Sequence, residues 1–173
     1  MGCTLTQGVP LTCRDAMGGI SEIKIKALSS VPAGLQATSG QITLTELDGW
    51  YTYQFEKETG NLTETANINT QNGTLYYTQT LTIKIHNLSS TLQEELYNVA
   101  QGRLLIACRD NNGTDWLIGS ENYAELTAGT GNTGTAFADM NGYELTFTAH
   151  SKAPMPSLQN YDSLVEPTPA PAP

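Results

Sequence analysis

Apolar residues recur at every second position in stretch after stretch of this chain, and Asn-Gly or Asp-Gly pairs join several of the stretches. A period of two belongs to strands with one buried face, and these dipeptides supply the positive φ of tight turns. In "SEIKIKAL", Ile23 and Ile25 alternate with Glu22, Lys24 and Lys26. Ile42 and Leu44 alternate with Thr43 and Thr45; beyond Asp48-Gly49, Tyr51, Tyr53 and Phe55 form one face of a returning strand. That arrangement predicts a hairpin. Tyr143, Leu145 and Phe147 alternate with Glu144, Thr146 and Thr148 after Asn141-Gly142. The 173 residues suit one domain, which at this size removes roughly two-thirds of its chain surface from water without a metal or disulfide. The expected fold is mainly β: an antiparallel β-sandwich or barrel.

The longest feature is "NLTETANINTQNGTLYYTQTLTIKIHN", centred on Asn72-Gly73. Its returning arm carries Leu75, Tyr77, Leu81, Ile83 and Ile85 at odd positions, interrupted by Gln79, while the outgoing arm around Asn67 and Asn69 is almost wholly polar. Such a hairpin either projects and pairs with another chain through its edges or is simply solvated. In the first case Asn67, Asn69, Asn72, Gly73 and Tyr77 belong to an assembly element.

One helix is expected, in "SSTLQEELYNVAQG". Ser90 and Gln93 fit a capping box, Glu94 and Glu95 fall in the first turns, and Leu92, Leu96, Val99 and Ala100 form a stripe for one side of a sheet. Gly102 supplies a left-handed stop. "RLLIACRD" then reads as a short apolar strand, turned by "DNNG" and followed by the returning "TDWLIGS". Residues 1–19 form an irregular N-terminal arm, residues 20–153 the domain, and residues 154–173, ending in "PTPAPAP", an extended C-terminal arm.

"GTGNTG", Gly129 to Gly134, has the spacing of a dinucleotide-binding loop. That reading needs a strand before it and a helix after it, and here turn and strand signals follow. A flexible surface loop is expected instead. Cys3, Cys13 and Cys108 are odd in number and match no zinc spacing, so reduced thiols are expected. Asp110, Asn112 and Asp115 fall short of a calcium loop. His86 and His150 sit at strand ends without placeable partners. No catalytic residue, metal or cofactor is expected, and the chain is read as a non-enzyme.

Gly2, Cys3 and Thr6 fit only the loose lipidation pattern. Asn61, Asn72, Asn87 and Asn112 head sequons, and turn chemistry accounts better for the two Asn-Gly pairs. No 18-residue apolar run points to a membrane. The net charge of −9 and the lack of a basic stretch argue against a sequence-specific nucleic-acid reader.

The order of parts — leading arm, strands, long hairpin, one capped helix, closing β-layer — resembles the major tail tube proteins of tailed bacteriophages. In layout the resemblance covers Ile20 to Lys152. In wording, Arg103 to Lys152, including "LLIACRDNNGTDWLIGSENYAELTAGTGNTG", is similar to structural proteins of phages infecting Bacteroidetes. The resemblance implies a virion protein made in the host bacterial cytoplasm, whose copies form hexameric rings that stack into a tube for DNA ejection. Its partners would be copies of itself, other virion proteins such as a tail terminator, sheath or tail tip, and double-stranded DNA in passage without sequence-specific binding.

An acidic balance suits a conduit, because cations on the wall would hold phosphates by counterion release. Glu46, Glu56, Glu58, Glu64 and Glu144 are therefore expected to face the lumen, with Glu56 and Glu58 on one strand face and Glu46 brought beside them by the Asp48-Gly49 hairpin. A capsid decoration or host-surface-binding β-sandwich module is the alternative from another class, and an enzyme the third.

Overall fold

Leu104 to Cys108 are all buried, and this double-sided burial organises the molecule. An uninterrupted apolar run has no polar face to give to water, so its strand must be covered on both sides. The computed structural model describes residues 7–11, 13–29, 35 and 37–167. The strands are β1 (Ile20–Leu28), β2 (Gln41–Ile42), β3 (Tyr51–Tyr53), β4 (Asn61–Asn69), β5 (Thr74–His86), β6 (Arg103–Asp110), β7 (Asp115–Ile118), β8 (Glu125–Asn132), β9 (Gly142–Ser151) and β10 (Ser157–Leu158). Helix α1 (Ser90–Gln101) joins β5 to β6. A six-stranded sheet has the order β2-β10-β7-β6-β1-β3, and a four-stranded sheet the order β4-β5-β9-β8. The fold is thus a mainly β, two-sheet arrangement with one α-helix.

Strand β6 lies inside the first sheet. Leu104, Ile106 and Cys108 join Ile23, Ile25, Leu81 and Phe147 in the cluster between the sheets. Leu105 and Ala107 face the opposite way, toward Trp50, Leu117 and Tyr161. Two chain segments cover that second face. Residues 43–50 cross it, burying Leu44 and Trp50. The C-terminal segment then adds β10, Tyr161 and Leu164.

The crossing explains why the Asp48-Gly49 hairpin does not form. Gly49 makes its turn at φ 83°, but β2 pairs with β10 at one edge of the sheet and β3 with β1 at the other. Trp50, fully buried directly after the turn, draws the chain across the face; its indole N–H donates to the Glu46 carbonyl. Tyr51 and Tyr53 pair with Ile25 and Ile23 and so lie on the core-facing side of β3, Tyr51 half exposed at the sheet edge, and Phe55 packs against the same core.

The helix start is also shifted. Ser89, in extended conformation, is the N-cap, and its hydroxyl accepts the Leu92 N–H at 3.1 Å. Leu92 therefore occupies the position a capping-box Glu or Gln would need, and Glu94 and Glu95 lie beyond the first turn. Gly102 closes the helix at φ −82°, not in the left-handed region. A Cβ there would crowd Asn98 O at 3.3 Å, so space rather than handedness favours glycine.

Residues 154–166 are not an arm. Leu158, Tyr161 and Leu164 recur every third residue and fill the second face of the sheet. The Tyr161 ring is contacted by Arg109 at 4.4 Å and Lys24 at 4.8 Å, and its hydroxyl donates to Glu22. Backbone bonds Trp50 N–H to Val165 O and Val165 N–H to Leu47 O tie the strap to the crossing segment. The run from residue 168, and the lipidation-pattern residues Gly2, Cys3 and Thr6, lie outside the described residues. Residues 7–11 and 13–19 are exposed, with Met17 and Gly18 held by the side chains of Asn112 and Asn111.

Replacing Tyr161 by alanine removes a buried aromatic and is expected to cost about 3–5 kcal/mol of unfolding free energy. Urea denaturation measures it. A chain ending at Ala153 should be unfolded or aggregated, whereas one ending at Pro167 should match the full chain. Equal stability of both truncations would contradict a structural role for the strap.

Candidate assembly interface

The four-stranded sheet is built around β5. Its pairing with β9 runs from Tyr77↔Ser151 to His86↔Gly142, and its pairing with β4 from Asn61↔Thr82 to Asn69↔Thr74. Beyond Tyr77 the hairpin is therefore only two strands wide. At its tip the Asn69 side chain accepts the Gln71 and Asn72 N–H groups, each at 3.0 Å, and Gly73 takes φ 64°. Four residues separate the paired Asn69 and Thr74, so Asn72-Gly73 is not a two-residue turn. Ile68 and Leu75 face each other across the tip, 70% and 50% exposed. This apolar pair has no cover in its own chain among the described residues. Asn67 lies on the outward face of the sheet, where its amide donates to the Thr78 hydroxyl, and Tyr77 is half-buried at the base of the projection.

Gln79, the apparent flaw in the apolar series, is 1% exposed. Its amide donates to the Ser151 hydroxyl at 3.2 Å, and its carbonyl accepts the Gly119 N–H at 3.3 Å. The first bond ties β5 to β9; the second ties the four-stranded sheet to the loop after β7. Gly119 itself has φ 84°, and a Cβ there would lie 2.7 Å from Ala124 N. Glycine is therefore required where the N–H meets Gln79.

Among the described residues, strands β4 and β8 are each paired on one side only, leaving a row of free backbone groups at both edges of this sheet. The first four residues of "GTGNTG" lie in one of them. Gly129 to Asn132 belong to β8, not to a loop, and Gly131 sits over the Tyr143 ring, where a Cβ would be at 3.0 Å. Only Gly134 takes positive φ. The following turn is held by Asp139, whose carboxylate accepts the Ala136 and Thr135 N–H groups; these bonds keep its pKa below the usual carboxylate range. Strand β9 comes next, so no helix N-terminus faces the glycines.

The five glutamates expected on a lumen wall do not converge. Glu46 is exposed on the crossing segment and pairs with Lys26 at 3.2 Å. Glu56 and Glu58 follow β3 in a turn, with Glu58 at φ 64°, so they do not share a strand face. Glu64 lies on the same side of its sheet as Gln79, and its carboxylate accepts the Met155 N–H. Glu144 alone stands on the outward face of the four-stranded sheet, paired with Lys84 at 3.3 Å.

The sequence reading missed Glu125 and, more important, the threonines on that face. With Leu81, Ile83, Leu145 and Phe147 inward, the intervening Thr80, Thr82, Thr146 and Thr148 point outward. The alternation that located the core carried this signal too.

Other candidate sites are engaged locally. Arg109 makes a two-point bond to Asp115 and pairs with Asp162, which raises the guanidinium pKa and lowers that of Asp162. Asp110 accepts the Asn112 and Thr114 N–H groups, a turn in place of a cation cage. Cys108 is buried, which pushes its thiol pKa up; Cys13 is exposed, and Cys3 is outside the described residues. Among the described residues no three His, Cys, Asp or Glu side chains converge as metal ligands. His86 and His150 are exposed.

Comparisons with protein-family models, with curated proteins and with solved structures find no match to this chain.

Gln79→Ala leaves the Gly119 N–H without its partner in a buried place. The expected loss is about 1–3 kcal/mol, read by urea denaturation. Thermal titration with NAD or ATP should leave the melting temperature unchanged; a saturable shift abolished by Gly131→Val would overturn the edge-strand reading of the glycines.

Proposed function

We propose that this chain is a virion structural protein whose copies form rings that stack into a DNA-conducting tube, as the resemblance to phage tail tube proteins implies. The observation that carries the reading is the pair of free edges on the four-stranded sheet. Its order β4-β5-β9-β8 is antiparallel throughout. With four strands, β4 of one copy set beside β8 of the next continues the alternation without a break. Such a contact is head-to-tail, uses both edges, and closes when the rotation per copy divides a full turn. Ring closure also removes the exposed edges that make open sheets prone to uncontrolled pairing. The six-stranded sheet covers the other face, so it would stand outside the closed wall.

The projecting hairpin fits ring-to-ring contact. It extends past the end of β9 along the strand direction, and its exposed Ile68–Leu75 pair offers apolar surface to a neighbour. The tip residues Asn69, Asn72 and Gly73 shape this projection; Asn67 and Tyr77 stand at its base. The net charge of −9 leaves the chain as a whole little means of holding phosphate as DNA passes. Tail terminator, sheath or tip proteins would meet the ends and outside of the tube.

Negative-stain images of the purified chain test the reading: rings or tubes are expected. A monomer or small closed oligomer that never polymerises would point instead to a decoration or host-surface-binding module. The edges can be tested separately. Neighbouring strand residues direct their N–H groups to opposite sides, so one of Thr130→Pro and Gly131→Pro blocks the free edge of β8. That variant should remain a folded monomer and fail to form rings; assembly of both variants would exclude β8 from the contact. Ile68→Asp combined with Leu75→Asp leaves the core and the β5–β9 pairing intact. It is expected to yield rings that do not stack.

A further inference from the structure

We infer that the wall of the passage is a nearly uncharged threonine surface, supplied by the outward face of the four-stranded sheet, and that the acidic charge of the chain lies mostly elsewhere. This rests on the tube reading above and specifies which surface the DNA meets.

The face is assembled by register. Thr63, Thr80 and Thr148 lie side by side across β4, β5 and β9, and Thr82 and Thr146 make the adjoining rung. Their hydroxyls are partly satisfied within the sheet. Thr82 and Thr146 are 3.4 Å apart, and Thr127 lies 2.9 Å from the Thr148 hydroxyl while donating to the Thr146 carbonyl. Bonded in this way, the hydroxyls are held in place along the sheet.

Lys84 is the one lysine or arginine at an outward position of these four strands, and Glu144 neutralises it at 3.3 Å. No unpaired lysine or arginine in these strands is thus available to condense on phosphate, and counterion release, the main source of sequence-independent DNA affinity, has nothing to act through. No large apolar side chain stands among the central threonine rungs to grip a base. The glutamates that would have made the wall strongly repulsive lie off the face, except Glu144 and Glu125. The face therefore neither holds DNA nor repels it strongly, which is what free sliding requires.

The packing of the two sheets gives its direction. The opposite face of the sheet is sealed by the core between the sheets, including Leu81, Ile83 and Phe147. If β4 and β8 close a ring, the threonine face looks inward when the wider six-stranded layer takes the larger radius outside.

Size-selective labelling tests this. In a background with Cys3→Ser and Cys13→Ser, Thr80→Cys and Thr146→Cys are compared with Thr45→Cys, an exposed residue on the crossing segment. In the unassembled chain all three should take both a small maleimide and one carrying a large polymer. In assembled tubes, the cysteines at 80 and 146 should keep the small reagent and lose the large one at least tenfold in rate, whereas that at 45 keeps both. Tubes in which 80 and 146 take the large reagent as fast as 45 overturn the inference and leave the tube reading standing. Failure of the parent chain to assemble overturns both. Converting Thr80 and Thr146 together to lysine should make assembled tubes retain double-stranded DNA at low salt and release it as salt rises. Tubes that retain no DNA would overturn the placement of this face on the DNA path.

Discussion

Everything in this fold answers to the burial of β6 on both faces. A strand reading Leu-Leu-Ile-Ala-Cys at its centre cannot be stable at a water interface, because each exposed side chain of that size forgoes about 1.5–3 kcal/mol. One side is covered by the four-stranded sheet. The other is covered by two irregular segments far apart in sequence, residues 43–50 and the strap to Glu166, which hold one another by main-chain bonds. The Tyr161 ring, under Arg109 and Lys24, fixes the strap to the sheet and occupies two of the chain's few cations.

The four-stranded sheet has a different economy. Its inward face is apolar where it meets β1 and β6, and Gln79 marks where that coverage ends: a buried amide satisfied on both sides, at the base of the hairpin that runs on into solvent. Its outward face is polar but nearly uncharged, and both its edges are free. A sheet so finished on one face and unfinished at both edges is the basis for reading this chain as an assembly subunit.

Much of the fold was legible in the residues. Ile23 and Ile25, Leu81 and Ile83, Leu145 and Phe147 announce strands with one buried face, and the structure buries all six. The helix was legible to within a residue of its cap, because Ser89 and Ser90 are chemically equivalent and only the backbone conformation selects between them. The candidate interface was half legible. The hairpin and its polar arm stand out, but the glutamates do not form a set, because their positions depend on turns and register rather than on local spacing.

What the sequence by itself determined is the period: which residues face in, which face out, and that turns intervene. Side-chain alternation is a local property of the extended chain and needs no tertiary information. Pairing was decided only in three dimensions. Asp48-Gly49 has the chemistry of a hairpin turn, yet burying Trp50 and covering the second face of β6 outweighs joining β2 to β3. "GTGNTG" has the composition of a loop, yet ladder bonds to β9 and contact with Tyr143 draw its first four residues into a strand. The proline-tailed C-terminus has the look of an arm, yet Leu158, Tyr161 and Leu164 belong inside, because the far side of the sheet is apolar and they complete the cover that residues 43–50 begin.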